Sequence, residues 1–453
     1  MSNLDLLFNP RSIALVGAAH TELKLGGVIL KNLMRFKGRL YPLNPKYNEL
    51  MGLKAYTSID DIPESVDLVI IIRPAPEVPE ILKGLDGKAK CAIIESAGFA
   101  EIGDNELQDE IKRIGTGLGI RLLGPNCMGV YSPYRRLDTF FLPYERLKRP
   151  RKGNAAIVSQ SGAIMICLFN AIRASNIGVS KAVGYGNAVD IDESDLYEYL
   201  ADDKDTEVVI SYIESLGDGR KFIEKARGLS EKKSLIILKA GKGLSGQAAA
   251  FSHTGRLAGR YEVFSSILKQ FGIQEAGDFD ELIDAAKALS YYPHMFPLAK
   301  GESRGGNRVC IITNGGGSGV LAADECMKQG LEVAKLPEDK IERLKQIFPH
   351  FYGVNNPVDL TAQVKDNDYV VVLNELKDYY DGFVIIALTG VTGITPGLAG
   401  LIKDFKKGTN KPIVFHIAHD GGSRRLITLL ERIGIPVYPS AERAVRGLRA
   451  ILR

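Results

Sequence analysis

Among the six histidines of this 453-residue chain, His253 stands in "GQAAAFSHTGRLAG" (246–259), a stretch made mostly of Ala, Gly, Ser and Thr. Neutral imidazole at about pH 7 is a competent nucleophile toward phosphorus once its other nitrogen is held by an acceptor that fixes the tautomer. Glu214, in "YIES" at a predicted strand end, is the candidate acceptor. Small neighbours let such a side chain approach a phosphate and let the loop swing between positions. The competing reading is a loop histidine bonded only to backbone.

Two further stretches have the makings of anion sites. "SQSGA" supplies Ser159, Gln160, Ser161 and Gly162, and "NGGGSG" supplies Asn314, Gly315, Gly316, Gly317, Ser318 and Gly319. Each follows a predicted strand and opens a predicted helix, where free N–H groups, the helix dipole and serine hydroxyls favour a phosphoryl group. Two such ends facing one another would cage it; the alternative is a pair of ordinary Ser/Gly helix caps.

A third stretch, "VGAAHTELKLGG" (16–27), follows the strand "SIALV". A turn of this kind brings backbone N–H groups to a phosphate, or it only shapes a strand-to-helix corner. NAD is disfavoured, because the spacing is not G-x-G-x-x-G and the second strand ends in Asn44-Pro45-Lys46 where a ribose would need Asp or Glu. Lys24, Lys46 and Arg73, each in a loop at the expected carboxyl edge, suit a nucleotide carrying extra phosphate. "ESAGF" (95–99) and "LGPNCMG" (123–129) follow two more strands and border the same crevice. Cys127 has no basic or histidine partner nearby in sequence and reads as a packed small residue. His416 and His419 lack a third ligand at suitable spacing, so no metal site is expected; His294 and His350 lie beside prolines, and His20 could meet ligand or solvent.

The elements that must position these residues are short β-branched runs alternating with helical patterns, as in "DLVIIIR", "CAIIESAG", "TEVVISYIES" and "KPIVFHIAH". Continuous apolar runs point to strands covered on both faces, hence parallel α/β sheets. "AAIVSQSGAIMICLFNAI" and "VCIITNGGGSGVLAADEC" open two parts that resemble each other at corresponding points, a duplicated pair of domains. The Pro- and charge-rich stretches 131–152 and 291–307 read as linkers. Expected boundaries are therefore 1–130, 153–290 and 308–453, in keeping with a prior of about three domains for this length.

Composition narrows the class. With 45% hydrophobic and 25% charged residues the chain is globular, and a formal charge of +4 with interspersed signs does not indicate nucleic acid as a partner. Five scattered cysteines without a C-x-x-C pair argue against a disulfide or zinc framework and for a reducing compartment. The N-terminal "MSNLDLLFNPRSIALVG" is unlike a signal peptide and no 18-residue apolar span occurs, so a cytoplasmic protein is expected, with no membrane partner.

Taken in order, "VGAA", "NPK", "ESAGF", "GPNCMG", "SQSG", "YIES", "KAGK", "SHTG", "NGGG" and "NPVDL" resemble the α subunit of ADP-forming acetyl-CoA synthetases, relatives of succinyl-CoA synthetase. The resemblance covers nearly the whole chain, and "GPNC" and "SHTG" are its most specific parts. It implies a Rossmann-like CoA-binding domain followed by two flavodoxin-like, doubly wound domains. Gly17, Ala18, Lys24, Asn44, Lys46, Arg73, Ser96, Gly98 and Asn126 become candidate CoA contacts, although "GAAHTELKLGG" has a bulky, charged centre where relatives often carry a Ser- and Pro-containing turn. His253 becomes the phosphorylated residue, oriented by Glu214, with the two helix ends gripping the phosphate.

The implied chemistry takes acyl-CoA and phosphate to acyl phosphate and CoA, then moves the phosphoryl group to His253 and on to ADP. The last step requires ADP/ATP with Mg2+ on an ATP-grasp β subunit, for which this chain leaves no room, in an α2β2 assembly. The alternatives are a non-catalytic CoA-sensing module and an NAD(P)-dependent oxidoreductase, the latter lacking its acidic residue at the second strand end.

Overall fold

A computed structural model of the chain describes residues 4–243, 245–246, 260–295, 306–418 and 421–452. His253 and His419 lie outside the described residues. The chain divides into two compact units, residues 1–277 and 278–453.

The N-terminal unit holds two large sheets and a two-stranded antiparallel one at Glu49–Leu50 and Leu53–Lys54. In the first, β1 (Ser12–Val16), β2 (Arg39–Leu43), β3 (Val66–Ile71), β4 (Ala89–Ile94) and β5 (Arg121–Leu123) are all parallel, in the order β2-β1-β3-β4-β5. Ile13, Leu15, Leu68 and Ile70 enter one core and Val69, Ile71, Ala92 and Ile94 another, which is why these strands are apolar at successive positions instead of alternate ones. Helices α1 (Leu25–Leu33) and α2 (Asn105–Leu118) are two of its connections. The order reverses at β1/β3, and the turns after these strands open at one carboxyl edge.

The second sheet contains β6 (Gly129–Ser132), β7 (Leu137–Asp138), β8 (Lys152–Ser159), β9 (Val179–Gly184), β10 (Val208–Ile213), β11 (Ser234–Lys239) and β12 (Gln274–Glu275). Their order is β12-β11-β10-β8-β9-β6-β7. The stretch expected to be a linker, 131–152, carries secondary structure: it supplies the second half of β6 and all of β7, the former pairing antiparallel with β9. Its prolines and charges hide a real core. Tyr131, Leu137 and Phe140 are buried, Tyr131 and Phe140 pack on Phe169 of α3 (Gly162–Ala174), and Arg149 grips buried Asp138 at 2.9 and 3.1 Å.

In the C-terminal unit β13 (Val309–Thr313), β14 (Gly353–Val354), β15 (Val358–Asp359), β16 (Gly382–Ile386), β17 (Ile413–His416) and β18 (Val437–Tyr438) line up as β14-β15-β13-β16-β17-β18. Only β14 runs antiparallel to its neighbour. As in the preceding sheet, an inner strand runs into a Gly/Ser turn and a helix of 13 residues, here α5 (Gly316–Lys328). The fold is Rossmann-like and flavodoxin-like, with parallel sheets carrying antiparallel edge strands. Among the described residues no helix is long and apolar enough to cross a membrane.

The helix just before the expected boundary at 290 is grouped with the C-terminal unit by its packing. Helix α4 (Phe279–Tyr291) packs on α6 (Ala441–Leu452) in the C-terminal unit. Two buried polar ties hold it there: Lys287 Nζ donates to Glu431 at 2.7 Å and to the Val437 carbonyl at 2.5 Å, and Arg443 binds Asp284 with Nε and Nη2. Burial lifts the Asp284 carboxyl to about 6 even though Arg443 pulls it down. Removing the guanidinium leaves a buried charge without its partner, so Arg443→Met is expected to destabilise this unit by about 3 kcal/mol at about pH 8. The carboxyl, its folded value then higher still, takes up a proton on acidification, so the deficit should shrink at about pH 5. Thermal unfolding at the two pH values checks this; an equal deficit at both would contradict it.

Candidate active site

The parallel strands bring the turns after β1, β2 and β3 together around a cavity of about 630 Å³ lined by Gly17, Ala18, Lys24, Asn44, Lys46 and Arg73, among others. Lys24 and Lys46 are exposed at its mouth, and the His20 and Tyr47 rings lie 5.1 Å apart beside them. The unusual first turn has a steric reason. A Cβ on Gly26 would sit 2.0 Å from the Gly17 carbonyl oxygen, so only glycine lets α1 start this close to the turn. Asn44 holds the turn from the other side, donating to the Ala18 carbonyl at 2.7 Å while accepting from Lys46 N–H at 2.9 Å. Its side chain therefore shapes the cavity wall. Arg73 donates to Glu77 through Nε at 2.9 Å and Nη2 at 2.6 Å, an exposed pair that an incoming phosphate could displace at little cost.

A second cavity of about 350 Å³ adjoins the loops after β4 and β5 and is shared with the following sheet: Ser96, Asn126, Ser161, Gly162, Asn187 and Glu214 all border it. Ser96 Oγ accepts from Arg73 N–H at 3.1 Å, a link to the first cavity's wall. Ser161 caps α3, accepting from Ile164 N–H at 3.4 Å, and Ser159, fully buried, donates to the Ser161 carbonyl at 2.8 Å. Gln160 accepts from the N–H groups of Glu214 and Ser215 at 2.8 and 3.0 Å and donates to Ser215 Oγ at 3.1 Å. Expected to bind phosphate, it fixes the turn that presents Glu214. Buried Lys239, at the end of β11, donates to the carbonyls of Glu214 and Ala240 at 2.6 Å each; burial lowers its ammonium to about 8. The Tyr212 phenol, raised by burial and by its hydrogen bond to Glu214, completes this corner.

Gly98, on the Ser96 loop, donates its N–H to Glu101 Oε1 at 2.6 Å, so its amide is engaged within the protein. Cys127 is a packed residue: it is buried, burial pushes its thiol well up, and Sγ lies 3.3 Å from the Ile94 carbonyl. In the C-terminal unit Asn314 pairs with Leu388 backbone through both side-chain ends, at 3.1 and 2.8 Å. Thr313 Oγ1 accepts from Gly315 N–H at 2.9 Å, and Gly316 and Gly317 stand exposed at the start of α5. Ser318 and Gly319 lie within its first turn. His416 is buried, with Nδ1 3.2 Å from the Tyr438 carbonyl oxygen.

Sequence reasoning missed two residues that matter here. Asn187, in "GYGNAVD" directly after β9, borders the second cavity; a Gly-Asn pair at a strand's carboxyl end was the available signal. Glu95 was quoted in "ESAGF" without a role. It borders the same cavity, both carboxyl oxygens are buried without a hydrogen bond of good geometry, and burial holds it well above the usual carboxylate range, against a smaller opposing effect of Thr139. The folded chain thus keeps Glu95 protonated at pH values where the unfolded chain ionises it, and stability falls as pH rises above the unfolded value. Glu95→Gln is expected to raise the melting temperature of the N-terminal unit by a few degrees at about pH 8 and to have little effect at about pH 4. Calorimetry at both pH values decides, and a shift independent of pH would contradict the assignment.

Three family models match this architecture in chain order: a CoA binding domain over 11–133, a succinyl-CoA ligase like flavodoxin domain over 152–289, and a ligase-CoA domain over 309–453. The chain is 38% identical to the acetate–CoA ligase [ADP-forming] II subunit alpha of Pyrococcus furiosus, with 99% of this chain and 97% of that one aligned. It is 36% identical to the acetate–CoA ligase [ADP-forming] of Methanocaldococcus jannaschii, covering 98% of this chain but 62% of that protein. A solved structure of Candidatus Korarchaeum cryptofilum dinucleotide forming acetyl-coenzyme A synthetase 1, in complex with phosphate and ADP, superposes with a TM-score of 0.89 at 35% identity over 100% of this chain and 96% of that one. With the coenzyme-type crevice, the ligase sheets and this near-complete alignment in agreement, the chain belongs to the ADP-forming acetate–CoA ligase family, on the side of its alpha subunits.

Proposed function

We propose that this ligase interconverts acyl-CoA, phosphate and ADP with free acid, CoA and ATP through acyl phosphate and a phosphohistidine at His253. CoA lies along the first cavity, its phosphates beside Lys24, Lys46 and Arg73, and its thioester reaches the second cavity past Ser96 and Asn126. The observation that carries this reading is the shared second cavity, where loops of the coenzyme-type sheet border the cap of α3 and Glu214. A phosphate oxygen attacks the thioester carbon and the C–S bond breaks, releasing CoA. An imidazole nitrogen of His253 then attacks phosphorus, and the P–O bond to the acyl group breaks, releasing carboxylate. Donors already fixed at Ser161–Gly162 stabilise the charge on phosphorus without rearranging at the moment of reaction.

Glu214 orients the imidazole by accepting from its second nitrogen. Lys239, at the end of β11, is bonded to the Glu214 carbonyl, and His253 follows that strand in the sequence. Transfer onward to ADP with Mg2+ takes place on an ATP-grasp β subunit in a cytoplasmic α2β2 assembly. Alignment with 97% of the P. furiosus alpha subunit supports a partner subunit. The CoA-binding, first ligase and second ligase domains are proposed at 1–130, 153–290 and 308–453, a division that the family-model ranges support.

The test is acid-labile phosphate on the chain after incubation with acetyl-CoA and phosphate, or with ATP, Mg2+ and a co-purified partner. His253→Ala is expected to abolish label, and Glu214→Gln to slow labelling by about 100-fold or more, as a general base deprived of its orienting carboxylate does. Label on His253→Ala equal to the parent's overturns the phosphohistidine; CoA binding without label or turnover in the parent favours the sensing module.

A further inference from the structure

We infer that Asn187 is a positioning residue for CoA, a side chain of the ligase sheet that sets the shape of both inner coenzyme loops. It stands on the turn after β9 and is buried, yet every partner of its side chain belongs to the coenzyme-type domain. Nδ2 donates to Glu101 Oε2 at 2.6 Å and to Gln108 Oε1 at 2.9 Å, and Oδ1 accepts from Asn126 Nδ2 at 3.3 Å. Its own N–H donates to the Pro125 carbonyl at 3.0 Å.

Glu101 passes the constraint on. Its Oε1 accepts from Gly98 N–H at 2.6 Å and from Phe99 N–H at 3.2 Å, which closes the loop after β4 onto itself. Burial would raise this carboxyl, but the bonds it accepts from Gly98 and Asn187 outweigh that and hold it below its ordinary value. The two arms of the inner crevice, 96–101 after β4 and 124–126 after β5, are therefore joined by one amide that comes from the other sheet. An amide fits where a carboxylate does not, because the position must donate to Glu101 and accept from Asn126 at once. Gln160, buried, and Asn44, half-buried, act within their own domains. Asn187, with its partner Asn126, joins the two sheets.

This inference rests on the assignment of the crevice to CoA, and the test separates the two. CoA binding is measured by calorimetry, and KM for CoA and kcat are measured with the partner, for the parent, Asn187→Ala, Asn187→Asp, and Asn187→Asp combined with Glu101→Gln. Asn187→Ala removes bonds to a charged partner, and it is expected to weaken CoA binding and raise KM by about 10- to 100-fold, with kcat at saturating CoA changing far less. Asn187→Asp faces Glu101 with a like charge and should bind no better than Asn187→Ala. The double variant restores a donor opposite an acceptor at unchanged net charge, and should recover to within several-fold of the parent. It also keeps the test decisive if Asn187→Ala fails to fold. CoA binding by Asn187→Ala equal to the parent's, or a double variant no better than Asn187→Asp, overturns the inference alone. A parent that does not bind CoA overturns the CoA assignment, and this inference with it.

Discussion

The catalytic reading depends on the contact that fuses the first two sheets. The chain from Asn187 to Ile191 lies alongside Leu122 to Pro125, with Asn187, Val189 and Ile191 N–H groups donating to the carbonyls of Pro125, Gly124 and Leu122 at 3.0, 2.9 and 3.1 Å. Asp190 accepts from Arg121 and from Leu122 N–H at 2.8 Å each, sealing the open end. A Cβ on Gly186 would lie 2.2 Å from the Asn126 carbonyl oxygen, so the approach needs glycine there. A backbone ladder of this kind tolerates little sliding, since a shift of one residue breaks every bond in it.

Because that ladder is rigid, the coenzyme-type loops and the α3 cap form the walls of one small cavity instead of two surfaces that must find each other. Acyl transfer to phosphate needs a thioester carbon and a phosphate oxygen within near-contact distance and correctly aligned, and fixing both walls in advance supplies much of that advantage. The same logic explains why so many polar side chains at the site face inward on their own turns. Gln160, Asn44, Glu101 and Lys239 bond backbone groups, holding in place the few donors left for a ligand.

Much of this was legible in the sequence, and for physical reasons. Runs such as "DLVIII" are apolar at successive positions because both faces of β3 are covered, and small polar clusters follow the strands because parallel strands end at one edge. The crevice-lining set Gly17, Ala18, Lys24, Asn44, Lys46 and Arg73 falls around one cavity on that principle. What escaped was non-local. The stretch 131–152 reads as a linker because its apolar residues are spaced by prolines and charges, yet Arg149 is buried on Asp138, a partner that no local pattern reveals. Helix α4 reads as the end of one domain, but Lys287 and Asp284 find their partners in residues 431–443. Residue type alone left Asn187 unremarked, since only the meeting of two sheets reveals its partners.

Hydrogen exchange on the intact protein with and without CoA tests the central claim, that the first two sheets work as one site. Coenzyme binding is predicted to slow exchange in 184–189 together with 96–101 and 124–126, because the turn after β9 is bonded to both loops. Protection confined to the coenzyme-type sheet, with 184–189 exchanging as in the free protein, would contradict it.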